Sequence, residues 1–248
     1  MTYSAASRSV LSTDEIHVWI ARLANDHRTA AYFLAILSEQ ERTRAERFSY
    51  ESDRLRFIQA HGIVRQILAD YAGKNAAALS FRANRFGKPF LVRDANTPNI
   101  QFSVSHSGNC CVLALRLDHS IGIDVEKLRD LPNLKRMSYR YFTQSEADTL
   151  GALQGTQQRN AFFSLWTHKE AMVKGLGISL AANLRQIEFD FDPTRGLRLV
   201  SWGSNTSIAQ EWSLRSLSPA PEYIAAVVCQ HPVRSLTIKK WPCDAAAL

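Results

Sequence analysis

Apolar and polar positions recur along this chain with two different periods. From Gln157 to Lys174 there is no Pro or Gly, and Gly175 and Gly177 follow as stop signals. That run predicts a helix of roughly five turns, with Trp166, Glu170 and Lys174 stacked along one side. A second long amphipathic helix is predicted over Asp53–Tyr71, where Leu55, Ile58, Ile63, Ile67 and Leu68 form much of the apolar face. Ser38-x-x-Glu41 and Thr143-x-x-Glu146 are capping boxes that open short helices reaching about Arg47 and Leu153, and Gly155 breaks the second.

Period two marks the strands. In Ile121-Gly-Ile-Asp-Val-Glu126 the aliphatic residues alternate with Gly122, Asp124 and Glu126, so both carboxylates leave one face. Strands are also predicted at His17–Leu23, Ile100–Val104 and Cys111–Leu117. After Gly177 five more follow, at Ile187–Phe191, Leu197–Trp202, Trp212–Leu217, Tyr223–Cys229 and Leu236–Trp241, separated by Pro, Gly or Asn turns. Phe86-Gly-Lys-Pro-Phe90 is a turn, Leu128–Met137 a basic loop, and Asp118–Ser120 a polar turn. A boundary near residue 119 divides the chain into 1–119 and 120–248.

Composition narrows the class. At 248 residues and 46% hydrophobic, the chain can bury one large core or two small ones. No apolar run approaches the roughly 20 residues of a membrane span. MTYSAASRSVLSTDE lacks the basic-then-apolar pattern of a secretory signal and reads as a loose end, and the tail CDAAAL is uninformative. Cys110, Cys111, Cys229 and Cys243 have no metal-ligand spacing, so reduced, buried thiols in a cytoplasmic protein are expected. The net charge of +7 suits phosphate-rich ligands and acidic partners. Arg42, Arg44, Arg82 and Arg85 are local basic spots, but no nucleic-acid-binding sequence accompanies them.

Chemistry enters with the carboxylates. Asp124 and Glu126 on a strand, with Glu170 on a helix, can converge to hold one hard cation such as Mg²⁺. Lys174, one turn beyond Glu170, can hold a phosphate; alone, each half has a bland alternative in a surface Glu–Lys pair beside a core Trp166.

Gly122-Ile-Asp124 followed by Trp166-Thr-x-Lys-Glu-Ala-x-x-Lys174 resembles the signature of 4′-phosphopantetheinyl transferases. Glu126 beside Asp124 and the chain length point to the larger surfactin-type (Sfp-type) class. Glu41–Phe48, Gly87-Lys-Pro89, Phe102–Gly108 and Arg140–Glu146 resemble further family blocks in the family's order, so the likeness runs from about residue 38 to 180. The resemblance implies an α+β fold of two similar α/β subdomains in a pseudo-twofold arrangement, with the active site between them. It implies Mg²⁺-dependent transfer of 4′-phosphopantetheine from coenzyme A to a serine of an acyl- or peptidyl-carrier protein, releasing 3′,5′-ADP.

By the same resemblance, Arg44, Lys88, Pro89, Ser105 and His106 bind the coenzyme. Arg56 is a second phosphate candidate, with a plain surface arginine as the alternative. Asp124, Glu126 and Glu170 hold the metal, Glu170 is the base, directly or through a metal-bound water, and Lys174 stabilises the leaving group. Lys169, about 100° round the helix from Glu170, reaches a phosphate or is exposed. Arg129, Lys135, Arg136 and Arg140 flank a carrier-docking surface or form a solvated charged segment. A monomer is expected, without nucleic acid or membrane partners. The rival classes are a coenzyme-binding module without turnover and a Mg²⁺-dependent hydrolase.

Overall fold

The computed structural model describes residues 10–24, 26–179, 183–192, 196–231 and 233–242. Strand β1 (Glu15–Arg22) leads into helices α1 (His27–Leu34), α2 (Glu39–Glu46) and α3 (Glu51–Ala72). A short hairpin, β2 (Phe81–Ala83) and β3 (Pro89–Leu91), precedes β4 (Ile100–Ser107) and β5 (Cys110–Leu117). The second half repeats the order: β6 (Ile121–Lys127), α4 (Leu134–Tyr141), α5 (Gln144–Gly151), α6 (Gly155–Leu176), then the hairpin β7 (Ile187–Asp192) and β8 (Gly196–Trp202). Strands β9 (Trp212–Leu217), β10 (Tyr223–Gln230) and β11 (Ser235–Lys240) complete the described chain.

Two sheets stack between two long helices. One sheet has the order β11-β1-β5-β4 and the other β6-β10-β9. Strand β5 sends Cys111, Leu113 and Leu115 to the core under α3, and Cys110, Val112 and Ala114 into the layer between the sheets. Strand β10 does the same in mirror fashion, with Ala226 and Val228 under α6 and Ala225, Val227 and Cys229 between the sheets. Burial on both faces is why these strands read as continuous apolar runs. Ile121, Ile123 and Val125 of β6 fill the same middle layer, which leaves Gly122, Asp124 and Glu126 on the α6 side.

The halves match in detail that the sequence conceals. Helices α3 and α6 each have 22 residues and end at a left-handed glycine, Gly73 (φ 65°) and Gly177 (φ 66°). Both capping boxes form. In each, the box glutamate accepts from a buried basic residue, the fifteenth of the long helix: Glu41 from Arg65 at 2.8 Å, and Glu146 from Lys169 at 2.7 Å. Each basic group then donates to two loop carbonyls, Ala76 and Leu79 for Arg65, Leu184 and Ile187 for Lys169. One polar lock thus ties short helix, long helix and following loop in both subdomains, as a pseudo-twofold fold requires.

Several expectations need correction. The boundary at 119 assigns the last strand to the second half, but β11 pairs in parallel with β1, and Trp241 packs against Trp19. There it covers the edge β1 would otherwise expose, and Lys239 lays its ammonium over the Trp19 and Tyr71 rings. Leu134–Met137 is the start of helix α4, not loop; it has no side-chain cap to announce it. Helix α1, capped by Asp26 through the Arg28 and Thr29 amides, has no counterpart in the sequence reading. Gly175 lies inside α6, and the stop is Gly177. Within the stretch taken as a loose N-terminus, Leu11 is buried and β1 already begins at Glu15; residues 1–9 and the tail 243–248 lie outside the described residues.

Candidate active site

Strand β4 meets β6 through serine side chains. Ser103, Ser105 and Ser107 alternate along β4 and face β6. Ser103 Oγ accepts from the Ile123 amide at 3.1 Å. Ser105 Oγ donates to Asp124 Oδ1 at 2.7 Å. Ser107 Oγ donates to Glu126 Oε2 at 2.8 Å and accepts from the Lys127 amide. Period-two spacing thus converts a polar strand edge into a seam that fixes two carboxylates.

Helix α6 brings Glu170 and Lys174 to the same place. Lys174 Nζ donates to Asp124 Oδ1 at 2.6 Å and to Ser105 Oγ at 2.9 Å. Asp124 is buried, and its Oδ2 has no hydrogen-bond partner among the described residues. Burial raises the Asp124 pKa against the pull of Lys174 and Ser105, with Glu126 adding to the rise. Glu170 is pushed up to about 7 by burial and by the charge of Asp124, with Lys174 opposing. A carboxyl group poised near neutrality beside an ammonium is suited to move a proton.

These groups form one wall of a cavity of about 1000 Å³ between the halves. Its opposite walls come from α2, α3, the β2–β3 hairpin and β4, and carry Arg44, His61, Arg82 and His106. Burial, then the charges of Lys174, His61, Arg44 and Arg56, lower the His106 pKa, which reports how many cations face one another there. Such a concentration favours a polyanionic ligand. Glu41 organises it: one carboxylate accepts from Ser38, Arg65 and His61 at 2.8–3.2 Å.

The structure gathers Arg44, Pro89, Ser105, His106, Asp124, Glu126, Glu170 and Lys174 around this cavity. It does not bring in three other candidates. The Lys88 ammonium points away and donates to the carbonyls of Ile121 and Gly175. Arg56 is engaged by Asp53 and Asn109, and touches the site only through its charge on His106. Lys169 is wholly buried in its pair with Glu146 and cannot reach a phosphate. Glu41, His61 and Arg65 were missed as site residues. The signal was present, since polar His61 and Arg65 follow Phe57 at intervals of four on a largely buried helix.

Oxygen donors at Asp124, Glu126 and Glu170 fit a hard cation, and the partnerless Asp124 Oδ2 is the atom such an ion would satisfy. As placed, no three acidic, His or Cys side chains among the described residues are gathered closely enough to enclose an ion. Glu126 is held by Ser107 and by Arg129 at 3.0 Å.

Residues 120–228 match the 4′-phosphopantetheinyl transferase superfamily, and residues 25–117 match its N-terminal family, described as 4′-phosphopantetheinyl transferase, N-terminal. The chain is 34% identical over 217 residues to the 4′-phosphopantetheinyl transferase HetI of a Nostoc species, covering 88% of each chain. It is 29% identical over 201 residues to a 4′-phosphopantetheinyl transferase of Bacillus subtilis, covering 80% of this chain and 84% of that one. Among solved structures, a holo-(acyl-carrier-protein) synthase from Bacillus anthracis in complex with CoA (3′,5′-ADP) aligns at 22% identity and a TM-score of 0.37. That alignment covers 46% of this chain and 96% of the other.

Proposed function

The chain belongs to the 4′-phosphopantetheinyl transferase superfamily, and on that premise we propose how its own side chains move phosphopantetheine from coenzyme A to a carrier-protein serine. The observation that carries the proposal is the meeting of Glu170, Lys174 and Asp124 on one wall of a cavity whose other walls are cationic. Arg44, His61 and His106 hold the phosphates of the nucleotide end, with Pro89 beside them. The acceptor serine loses its proton to Glu170, whose pKa of about 7 lets it accept one near neutral pH. The serine oxygen forms a bond to the phosphorus bearing pantetheine as the bond from that phosphorus to the 3′,5′-ADP oxygen breaks. Lys174, already oriented by Asp124 and Ser105, stabilises the charge that develops on the departing phosphate. When bound, Mg²⁺ held by Asp124, Glu126 and Glu170 would supply further neutralisation of the pyrophosphate.

Glu126 beside Asp124, and two locked halves within one chain, support the surfactin-type class acting as a monomer. The buried thiols of Cys110, Cys111 and Cys229 suit the reducing cytoplasm. Among the described residues no helix is long and apolar enough to cross a membrane.

The test mixes the protein with coenzyme A, Mg²⁺ and an apo carrier domain, then weighs the carrier. A phosphopantetheine adduct that disappears with Asp124→Ala is expected. Split coenzyme without an adduct would indicate a hydrolase, and binding without either product a coenzyme-binding module.

A further inference from the structure

The β2–β3 turn does two things at once. On one side Arg82, Ala83, Gly87 and Pro89 line the cavity. On the other, Lys88 Nζ donates to Gly175 O and to Ile121 O, each at 3.1 Å. Beside it Asn84 Nδ2 donates to Gly177 O at 2.7 Å, while its Oδ1 accepts from the Phe86 and Lys88 amides and so shapes the turn. Gly87, with φ 89°, permits that shape. The fit is close: a Cβ on Gly177 would lie 3.0 Å from Asn84 Nδ2 and 3.3 Å from Lys88 Cδ.

What the turn grips is informative. Gly175 O belongs to the last turn of α6, where carbonyls lack partners within the helix and the helix dipole favours a cation. Gly175 adjoins Lys174. Ile121 opens β6, three residues before Asp124. One ammonium therefore bridges the two elements that carry the Asp124–Lys174 pair, and the turn that supplies it is also a cavity wall. Burial pushes the Lys88 ammonium down to about 8, and the two carbonyls it reaches favour the charged form that burial opposes.

We infer that Lys88 and Asn84 are positioning residues, which clamp the end of α6 and the start of β6 to the wall on which the coenzyme lies. Neither residue need touch the coenzyme. The clamp makes seating a ligand against the hairpin and aligning Lys174 with Asp124 a single event. The inference rests on the transferase reading of the cavity and adds a device to it.

Lys88→Met keeps the stem and removes the donors; Asn84→Ala removes the one bond to α6 together with the two that shape the turn, and covers the case in which Lys88→Met fails to fold. Amide hydrogen exchange at Gly175–Gly177 and Ile121–Asp124 should quicken by about tenfold in Lys88→Met and by less in Asn84→Ala. Calorimetric affinities for coenzyme A and 3′,5′-ADP should stay within about threefold of the parent, while kcat falls by about tenfold or more. A tenfold or greater loss of coenzyme affinity with unchanged exchange would make Lys88 a phosphate ligand and overturn the clamp. Unchanged exchange in both variants overturns it as well. Absence of transfer by the parent strikes the transferase reading only, because exchange and calorimetry compare each variant with the parent without turnover.

Discussion

Gly122 and Gly175 meet where β6 passes under α6: a Cβ on Gly122 would sit 2.5 Å from the Gly175 nitrogen and closer still to the Ala171 carbonyl oxygen. Two residues without side chains let strand and helix backbones touch. That contact sets how far Asp124 lies from Lys174 and Glu170. Gly122→Ala must push α6 off β6. It is expected to destabilise the fold by about 1–3 kcal/mol or more, and to slow transfer by on the order of 100-fold where the protein remains folded, since a shift of about 1 Å suffices for that. Denaturant midpoints with rates on the folded fraction check it; a variant of parental rate would show that this contact does not set the site.

Glu170→Gln keeps the shape and removes the proposed base. With the folded pKa raised to about 7 from 4.5, the group is unprotonated, and able to accept the serine proton, only as pH rises through about 7. Transfer should therefore climb with pH over that window, and Glu170→Gln should lose about 10²–10⁴-fold in rate together with the climb. Added Mg²⁺ should move the climb to lower pH, since a cation favours the carboxylate. The sign for stability is opposite: a carboxyl with a raised folded pKa favours the fold most below its unfolded value and loses that contribution as pH rises from 4.5 through about 7. Glu170→Gln should therefore melt at higher temperature than the parent at pH 8. A pH-independent parental rate would remove Glu170 from the role of base.

The locks show how far the sequence was legible. Ser38-x-x-Glu41 and Thr143-x-x-Glu146 announced both capping boxes, and period two announced β6 with its carboxylates on one face. Local rules reach that far. That Glu41 and Glu146 would also find Arg65 and Lys169 depends on two helices crossing, which no spacing encodes. Lys169, about 100° round the helix from Glu170, was expected to reach a phosphate or be exposed, but the packing of α5 against α6 buries it against Glu146. Lys88 misled for a similar reason: a turn places a side chain on either of two sides, and contacts with Ile121 and Gly175 decide which. Strand β11 read as a strand, whereas its partner β1 lies at the other end of the chain.

Lys169→Met leaves Glu146 buried without its cation, at an expected cost of about 3–5 kcal/mol. Coenzyme affinity should be unchanged, because the ammonium faces Leu184 and Ile187 rather than the cavity. Removing the stranded charge with Glu146→Gln in the same chain should recover part of the loss. Unfolding curves and calorimetry separate the outcomes, and a selective loss of coenzyme binding would return Lys169 to the site.

Glu41 predicts an acid-side weakness. Burial alone would raise its pKa, yet hydrogen bonds from His61 and Ser38 and the Arg65 charge lower it to about 2 from 4.5. A carboxylate with a depressed folded pKa contributes stability above its unfolded value, and that contribution disappears as pH falls from 4.5 through about 2. Glu41→Gln should flatten the loss in this window and lower stability at neutral pH, leaving Arg65 without its anion. Thermal melts at pH 7 and in steps below pH 4.5 read both effects; parallel melting profiles for variant and parent would contradict it.

The carrier surface is the remaining question, and α4 frames it. Lys135, Arg136, Tyr139 and Arg140 are exposed on this helix, while Leu134 and Met137 pack against the core beneath α6. Arg129, in the loop before it, pairs with Glu126 of the site. A basic rim leading from solvent to the carboxylates would steer an acidic carrier toward Glu170, and such charges act mainly on encounter. They are screened beyond roughly 8 Å at physiological salt. Lys135→Glu combined with Arg136→Glu should therefore raise the KM for an acidic carrier several-fold, leave kcat and coenzyme affinity nearly unchanged, and lose most of its effect at high salt. Neither residue lines the cavity, so a fall in coenzyme affinity would point to misfolding rather than docking. Steady-state rates with the carrier varied and then the coenzyme varied distinguish these, and carrier kinetics equal to the parent would move docking to another face.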